Sequence, residues 1–166
     1  MRILVLGLGN ILLSDEGAGV HAVERLGKRL ALPPEVEVLD GGTCGMELLD
    51  QISGRDALIV VDAIKSKKRK PGDTVRLAGA DIDQFFRTRL SPHQLGLSDV
   101  LALLDMTGAK PAEVVIVGIV PASLDLGLSL SPEAEQGCEA AIGLVIAELE
   151  RLGVSAATRS SPVAAE

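Results

Sequence analysis

Three stretches of this 166-residue chain carry side chains that could hold a divalent cation. The stretch "GLGNILLSDEGAGV" (7–20) sets Asp15 and Glu16 just after an apolar run, Asp62 sits near the end of the still more apolar "IVVDAI", and His93 stands in "LSPHQLGL". A buried carboxylate costs several kcal/mol unless it is paired or binds a cation, so Asp62 needs a partner. One carboxylate after the first strand, one at the end of the third and an imidazole from a later loop could meet at one sheet edge. Two oxygens and one nitrogen suit a divalent metal with open positions. Taken singly, each has a plainer role: Asp15 and Glu16 as favourable first-turn acids, Asp62 as an innocent strand-terminal acid, His93 as a surface residue.

The glycines of the opening stretch raise a rival. Gly7 and Gly9 fit a dinucleotide fingerprint, which would make the chain a nucleotide-binding oxidoreductase, but Leu12 stands where a third glycine should let the helix pack close to the strand. Asp15 and Glu16 also occupy the helix N-terminus that a pyrophosphate would need. Serine chemistry is no better served. Ser14 and Ser91 lack the glycine pattern of a nucleophile elbow, and the other histidine, His21, falls on the first helix, where it is expected at the surface. Cys44 in "GGTCG" reads as a small buried thiol, with a nucleophile or ligand as the alternative, and Cys138 as packing inside the last helix. Around Cys44, Gly41, Gly42 and Gly45, with Thr43 between them, either let a peptide backbone come close or make a tight turn.

Strands and helices must alternate to bring these groups together, and the sequence pattern supplies that. Ile3 to Leu8, 36 to 40, 57 to 64, 74 to 78 and 113 to 120 read as strands, the first a continuous apolar run suited to a parallel sheet covered on both faces. Helical spacing follows from about Glu16 to Leu30, over Met46 to Ile52, around 97 to 107 with Ser98 or Asp99 as its cap, and after Ser131 to about Arg151. His93 then lies in a loop leading into a helix. Alternation of this kind predicts a three-layer α/β/α domain with a mostly parallel central sheet, its ligand crevice at the carboxyl ends of the strands.

Composition bounds the partners. A formal net charge of -7 repels a phosphate backbone, so nucleic acid is not expected, and the cations of "KSKKRK" (65–70) read as a solvated hairpin. No apolar stretch reaches the roughly 20 residues that would span a bilayer. Two distant cysteines do not make a disulfide framework, and a reduced cytoplasm is the simpler home. Residues 1–153 are expected as one domain and 154–166 as a flexible tail.

In order and spacing, "GLGNILLSDEGAGVHAVERL", "DGGTCGMELL", "VVDAI", "SPHQLGLSDVLALL" and "GIVPASLDLGLSLSPEAEQG" resemble the maturation endopeptidases of [NiFe]-hydrogenases over residues 2 to about 150. The resemblance implies a single α/β/α domain with a twisted central sheet, phosphorylase/hydrolase-like. It implies a nickel-dependent endopeptidase that removes a C-terminal extension from the hydrogenase large-subunit precursor after metal insertion; the chain itself is expected as a monomer. The family's metal-contacting residues fall on Glu16, Asp62 and His93, which would then also serve catalysis, and its peptide-binding loop on Gly41, Gly42, Thr43 and Gly45. Nickel is expected to arrive with the precursor and to be bound only transiently, because this chain offers hard oxygen and nitrogen donors while the precursor holds the ion through soft thiolates. A metal-binding adaptor that leaves the precursor intact is the alternative.

Overall fold

The computed structural model describes residues 1–88 and 92–158, the side chains of Thr88, Pro92, His93 and Thr158 excepted. In chain order its elements are β1 (Ile3–Leu8), a 3-10 turn (Ser14–Gly17), α1 (Ala18–Arg29), β2 (Leu30–Ala31), β3 (Val36–Gly42), a second 3-10 turn (Met46–Leu48), α2 (Leu49–Ile52), β4 (Ala57–Ala63), β5 (Thr74–Ala78), α3 (Ala80–Thr88), α4 (Pro92–Met106), β6 (Glu113–Ile119), α5 (Pro132–Arg151) and β7 (Ala157–Thr158). Five strands form one sheet in the order β3-β1-β4-β6-β5, parallel except for β5.

Because successive side chains of a strand point to opposite faces, a strand buried on both sides must be apolar throughout. In β1, Ile3 and Val5 join Val23 and Leu26 of α1 and Val145 and Leu149 of α5, while Leu4, Leu6 and Leu8 join Ile52 of α2 and Val100 and Leu104 of α4. Ile59 and Val61 against Leu58 and Val60 divide β4 in the same way. The result is the expected three-layer α/β/α arrangement, with α1 and α5 on one face and α2, α3 and α4 on the other.

The strand order locates the crevice. From β1 the chain crosses by α1 to β3 on one flank, then returns by α2 to β4 on the other. Helices leaving in opposite directions from the middle of a parallel sheet part at the carboxyl ends of the two strands between them, which makes β1 and β4 the topological switch point.

Several elements differ from expectation. Residues 65–70, expected as a hairpin, form a connection between non-adjacent strands, because β6 lies between β4 and β5. α4 starts at Pro92, six residues before Ser98, so His93 belongs to its first turn rather than to a loop. α3, with Ile82 and Phe85 buried, was not anticipated. Beyond α5, Val154 is buried and β7 pairs antiparallel with β2, so the fold continues into the segment expected as a tail; residues 159–166 lie outside the described residues.

Candidate functional site

Two glycines decide how closely α1 and its preceding turn sit on the switch point. A Cβ on Gly19 would fall 2.2 Å from the Val61 carbonyl oxygen and 2.5 Å from that of Leu8, so the first turn of α1 rests directly on the ends of β4 and β1. This is the close helix–strand approach for which the sequence offered no third glycine near Leu12. Gly9 has φ 133°, and a Cβ there would lie 1.8 Å from the Glu16 carbonyl oxygen. Any other residue would push the acidic turn away from the end of β1.

Asp15 and Glu16 thereby part company. Asp15 is fully buried, and its carboxylate accepts hydrogen bonds from the backbone N–H groups of Ala122, Ser123 and Ser131, at 2.8, 3.1 and 2.7 Å, and from the Ser131 hydroxyl at 2.7 Å. Burial alone would raise its pKa, but these bonds, led by those from Ser131, outweigh it and hold the carboxyl below its ordinary value. Asp15 therefore ties the loop after β6 to the loop after β1. Glu16, one residue on, is half-buried at the mouth of the crevice.

Asp62 lies next to Val61, the partner of Gly7 in the β1–β4 ladder, and so stands level with the end of β1. It is 2% exposed. One carboxylate oxygen accepts from the Ala63 N–H at 2.8 Å, and the other from Nε2 of Gln94 at 2.8 Å. Gln94 is itself buried and reaches the Ala63 carbonyl at 3.3 Å. The sequence reading missed this residue, although it adjoins His93; a neutral amide carries neither a charge nor a burial penalty large enough to draw notice. Its position on α4 fixes the orientation of the Asp62 carboxylate.

His93 is placed by its backbone alone, in the first turn of α4 beside Gln94; its side chain lies outside the described residues. Among the described residues no three His, Cys, Asp or Glu side chains gather as a cation site. What the structure brings to one sheet edge is Glu16, Asp62 and the helix turn that carries His93.

The glycine loop joins the same edge. A Cβ on Gly96 would lie 2.8 Å from the Cα of Gly45, which seats the loop against α4 one turn beyond His93. Gly41 is buried, and a Cβ there would meet Leu6 and Leu8 at 2.8 and 2.9 Å, while Gly42 takes a φ of 50°. These three glycines thus have reasons internal to the fold, and Thr43 and Cys44 are the exposed members. Cys44, expected buried, is at the surface.

Other candidates recede. The Ser14 hydroxyl donates to the Asp125 carbonyl at 2.8 Å, and Ser91 lies outside the described residues. His21, expected at the surface, is half-buried, and its Nε2 finds no hydrogen-bond partner among the described residues. Cys138 is buried, its thiol donates to the Ala18 carbonyl at 3.4 Å, and burial pushes its pKa up to about 12. A cavity of about 690 Å³ between α3 and α4, lined by Ile82, Phe86, Leu101 and Val114, opens at the amino end of β6, away from all of these acids.

Comparison with known proteins gives one consistent result. The family model for hydrogenase maturation proteases matches residues 20–148. The chain is 49% identical over 161 residues to the hydrogenase 2 maturation protease of Escherichia coli K12, covering 97% of this chain and 98% of that one. It is 41% identical to the hydrogenase expression/formation protein HupM of Azotobacter chroococcum, over 95% and 76%. Among solved structures, the hydrogenase maturating endopeptidase HybD of E. coli superposes with a TM-score of 0.92 at 50% identity, over 96% and 98%. The [NiFe] hydrogenase maturation protease HybD of Thermococcus kodakarensis superposes with a TM-score of 0.75 at 33% identity, over 92% and 99%.

Proposed function

Because the chain belongs to the hydrogenase maturation proteases, and so is a peptide hydrolase, we propose that it removes the C-terminal extension of a [NiFe]-hydrogenase large-subunit precursor once nickel is in place. The adaptor and oxidoreductase readings fall with that membership. The observation that carries the finer reading is that Glu16 and a Gln94-oriented Asp62 share the β1–β4 sheet edge, on which α4 presents the backbone of His93.

Nickel belongs to the substrate in this scheme. Glu16, Asp62 and His93 add hard oxygen and nitrogen donors to an ion already held by the precursor's thiolates, so affinity is high only when the metal has been delivered. The order of maturation then follows from recognition, without a separate sensor. Held beside the scissile bond, that ion would polarise a carbonyl or activate a water, or would only position the peptide, and Glu16 or Asp62 would serve as base. Thr43, exposed between Gly42 and Cys44 on the loop seated against α4, is the residue of that loop we assign to the extension. A cytoplasmic setting agrees with the free thiols of Cys44 and Cys138, and among the described residues no helix is long and apolar enough to cross a membrane.

The test mixes the purified protein with nickel-loaded and with metal-free precursor and reads the intact mass of the product. C-terminal truncation of the loaded form alone is expected, and equal cutting of both would overturn metal recognition. Glu16→Gln, Asp62→Asn and His93→Ala should each abolish truncation while the thermal unfolding midpoint stays within about 5 °C of the parent. Full activity in any of the three would remove that residue from the scheme.

A further inference from the structure

The cationic run after β4 has no part in the chemistry above, yet it leaves the sheet two residues beyond Asp62. Lys65, Lys67, Lys68, Arg69 and Lys70 are all exposed. Setting them aside leaves 11 basic against 23 acidic residues in the rest of the chain. The loop is therefore the exception to an acidic molecule, and its charge is concentrated in six positions.

Cations elsewhere in the fold are mostly neutralised. Arg25, Arg29, Arg55, Arg76, Lys110 and Arg151 each have a carboxylate within salt-bridge distance. Lys67, Lys68, Arg69 and Lys70 have none among the described residues; Arg69 reaches only the Thr74 carbonyl, at 3.4 Å. Like charges held this close repel one another, and a loop with no other task would relieve that by pairing or by fraying.

This loop is instead fixed at both ends. The Ile64 N–H donates to the Ile119 carbonyl at 2.8 Å, the Gly72 N–H to Val120 at 2.8 Å, and the Val120 N–H to Asp73 at 2.9 Å. A Cβ on Gly72 would lie 2.6 Å from the Glu133 carbonyl oxygen, so the turn is pressed against the first residues of α5. The Asp73 carboxylate accepts from the Lys70 N–H at 2.9 Å and closes the turn that leads into β5. Lys67 is five residues from Asp62, at most about 18 Å along the chain.

We infer that the 65–70 loop is a docking surface for an acidic segment of the precursor protein, which it holds beside the scissile region. Charge complementarity selects that partner. The acidic remainder of the molecule repels the extended phosphate lattice of a nucleic acid or an anionic bilayer, whereas a short acidic peptide needs only the loop itself. Four cations without a carboxylate partner among the described residues, on the connection that leaves the carboxyl end of β4, also draw the partner toward the site and fix its register, an effect carried by association and by salt. The inference rests on the proposed precursor processing, so binding and cleavage are measured separately.

The experiment compares the parent with the variant Lys67→Gln/Lys68→Gln/Arg69→Gln/Lys70→Gln, with Lys28→Gln on the exposed face of α1 as a control. Nickel-loaded precursor is titrated by fluorescence anisotropy, and its truncation is followed in parallel, at low salt and at about 0.5 M NaCl, where charges are screened beyond a few ångström. The quadruple variant should bind the precursor roughly tenfold more weakly at low salt, with kcat/KM lowered through KM, and the difference should vanish at high salt. Lys28→Gln should match the parent. Equal binding by parent and quadruple variant at low salt would overturn the inference. So would a loss confined to a DNA duplex or to phosphatidylserine vesicles. Salt-sensitive binding with no truncation by the parent would uphold the docking surface and overturn the protease assignment of substrate instead. A charge-reversed variant, Lys67→Glu/Lys68→Glu, guards against a misfolded result, because it must weaken binding further while its circular dichroism spectrum stays that of the parent.

Discussion

At the scale of single residues, the site depends on which atom of which acid faces the crevice. Position in the chain did not separate Asp15 from Glu16, the family resemblance fell on Glu16, and in the fold a 3-10 turn buries the first and leaves the second half-buried. Asp62 was legible because a charge at the end of an apolar strand must be accounted for. Gln94 was not, since an amide looks like any polar residue until its partner is known. Its Nε2 lies 2.8 Å from Asp62, so if Asp62 meets the precursor's metal as proposed, Gln94→Ala should lower kcat for the proposed truncation by about 10- to 100-fold, as loss of a group that orients a metal ligand commonly does. KM should stay within about twofold and the unfolding midpoint within a few degrees. A fall in stability with kcat unchanged would make Gln94 a packing residue only.

Among the elements, the long apolar strands and both flanking helices of the α1–α5 face could be read from the chain, because continuous burial and a 3.6-residue period leave a plain mark in sequence. α4 was read about five residues too short at its start for a physical reason. Gly96 resembles a helix breaker, but its missing side chain is what lets the loop at Gly45 lie against the helix. The short α3 and the β2–β7 pair carry too few periodic positions to announce themselves. No local pattern showed that Asp15 would join the loop after β6 to the loop after β1, since its donors lie more than a hundred residues away. Asp15→Asn keeps one acceptor oxygen for four donors and should destabilise the fold by about 3 kcal/mol at neutral pH, measured by urea denaturation. A change below about 1 kcal/mol would mean that the loop is held by something else.

For the molecule as a whole, α5 is the member on which separate layers are fastened. Arg25 and Arg29 of α1 pair with Glu135 and Glu139, Arg76 of β5 pairs with Glu148, and Arg151 reaches both Glu148 and Glu113 of β6. Most of these pairs are exposed, and exposed pairs contribute little. Glu148 is different, being 5% exposed with Arg76 and Arg151 both on its carboxylate, and the Arg76 bond, helped by Arg151, overcomes burial to hold it below its ordinary value of 4.5. A depressed carboxyl stabilises the fold above its unfolded pKa, and that contribution is lost as pH falls through the lower folded value. The parent should therefore lose stability progressively as pH drops below 4.5, with Asp15 adding to the loss below 3.8. Glu148→Gln removes the charge at every pH, so it should cost about 2 kcal/mol at neutral pH and progressively less in acid, where the parent has protonated too. Denaturation midpoints measured from about pH 7 down to about pH 3 would show the two curves converging. If they run parallel instead, the pairing of edge strand β5 to α5 does not depend on the charge of Glu148.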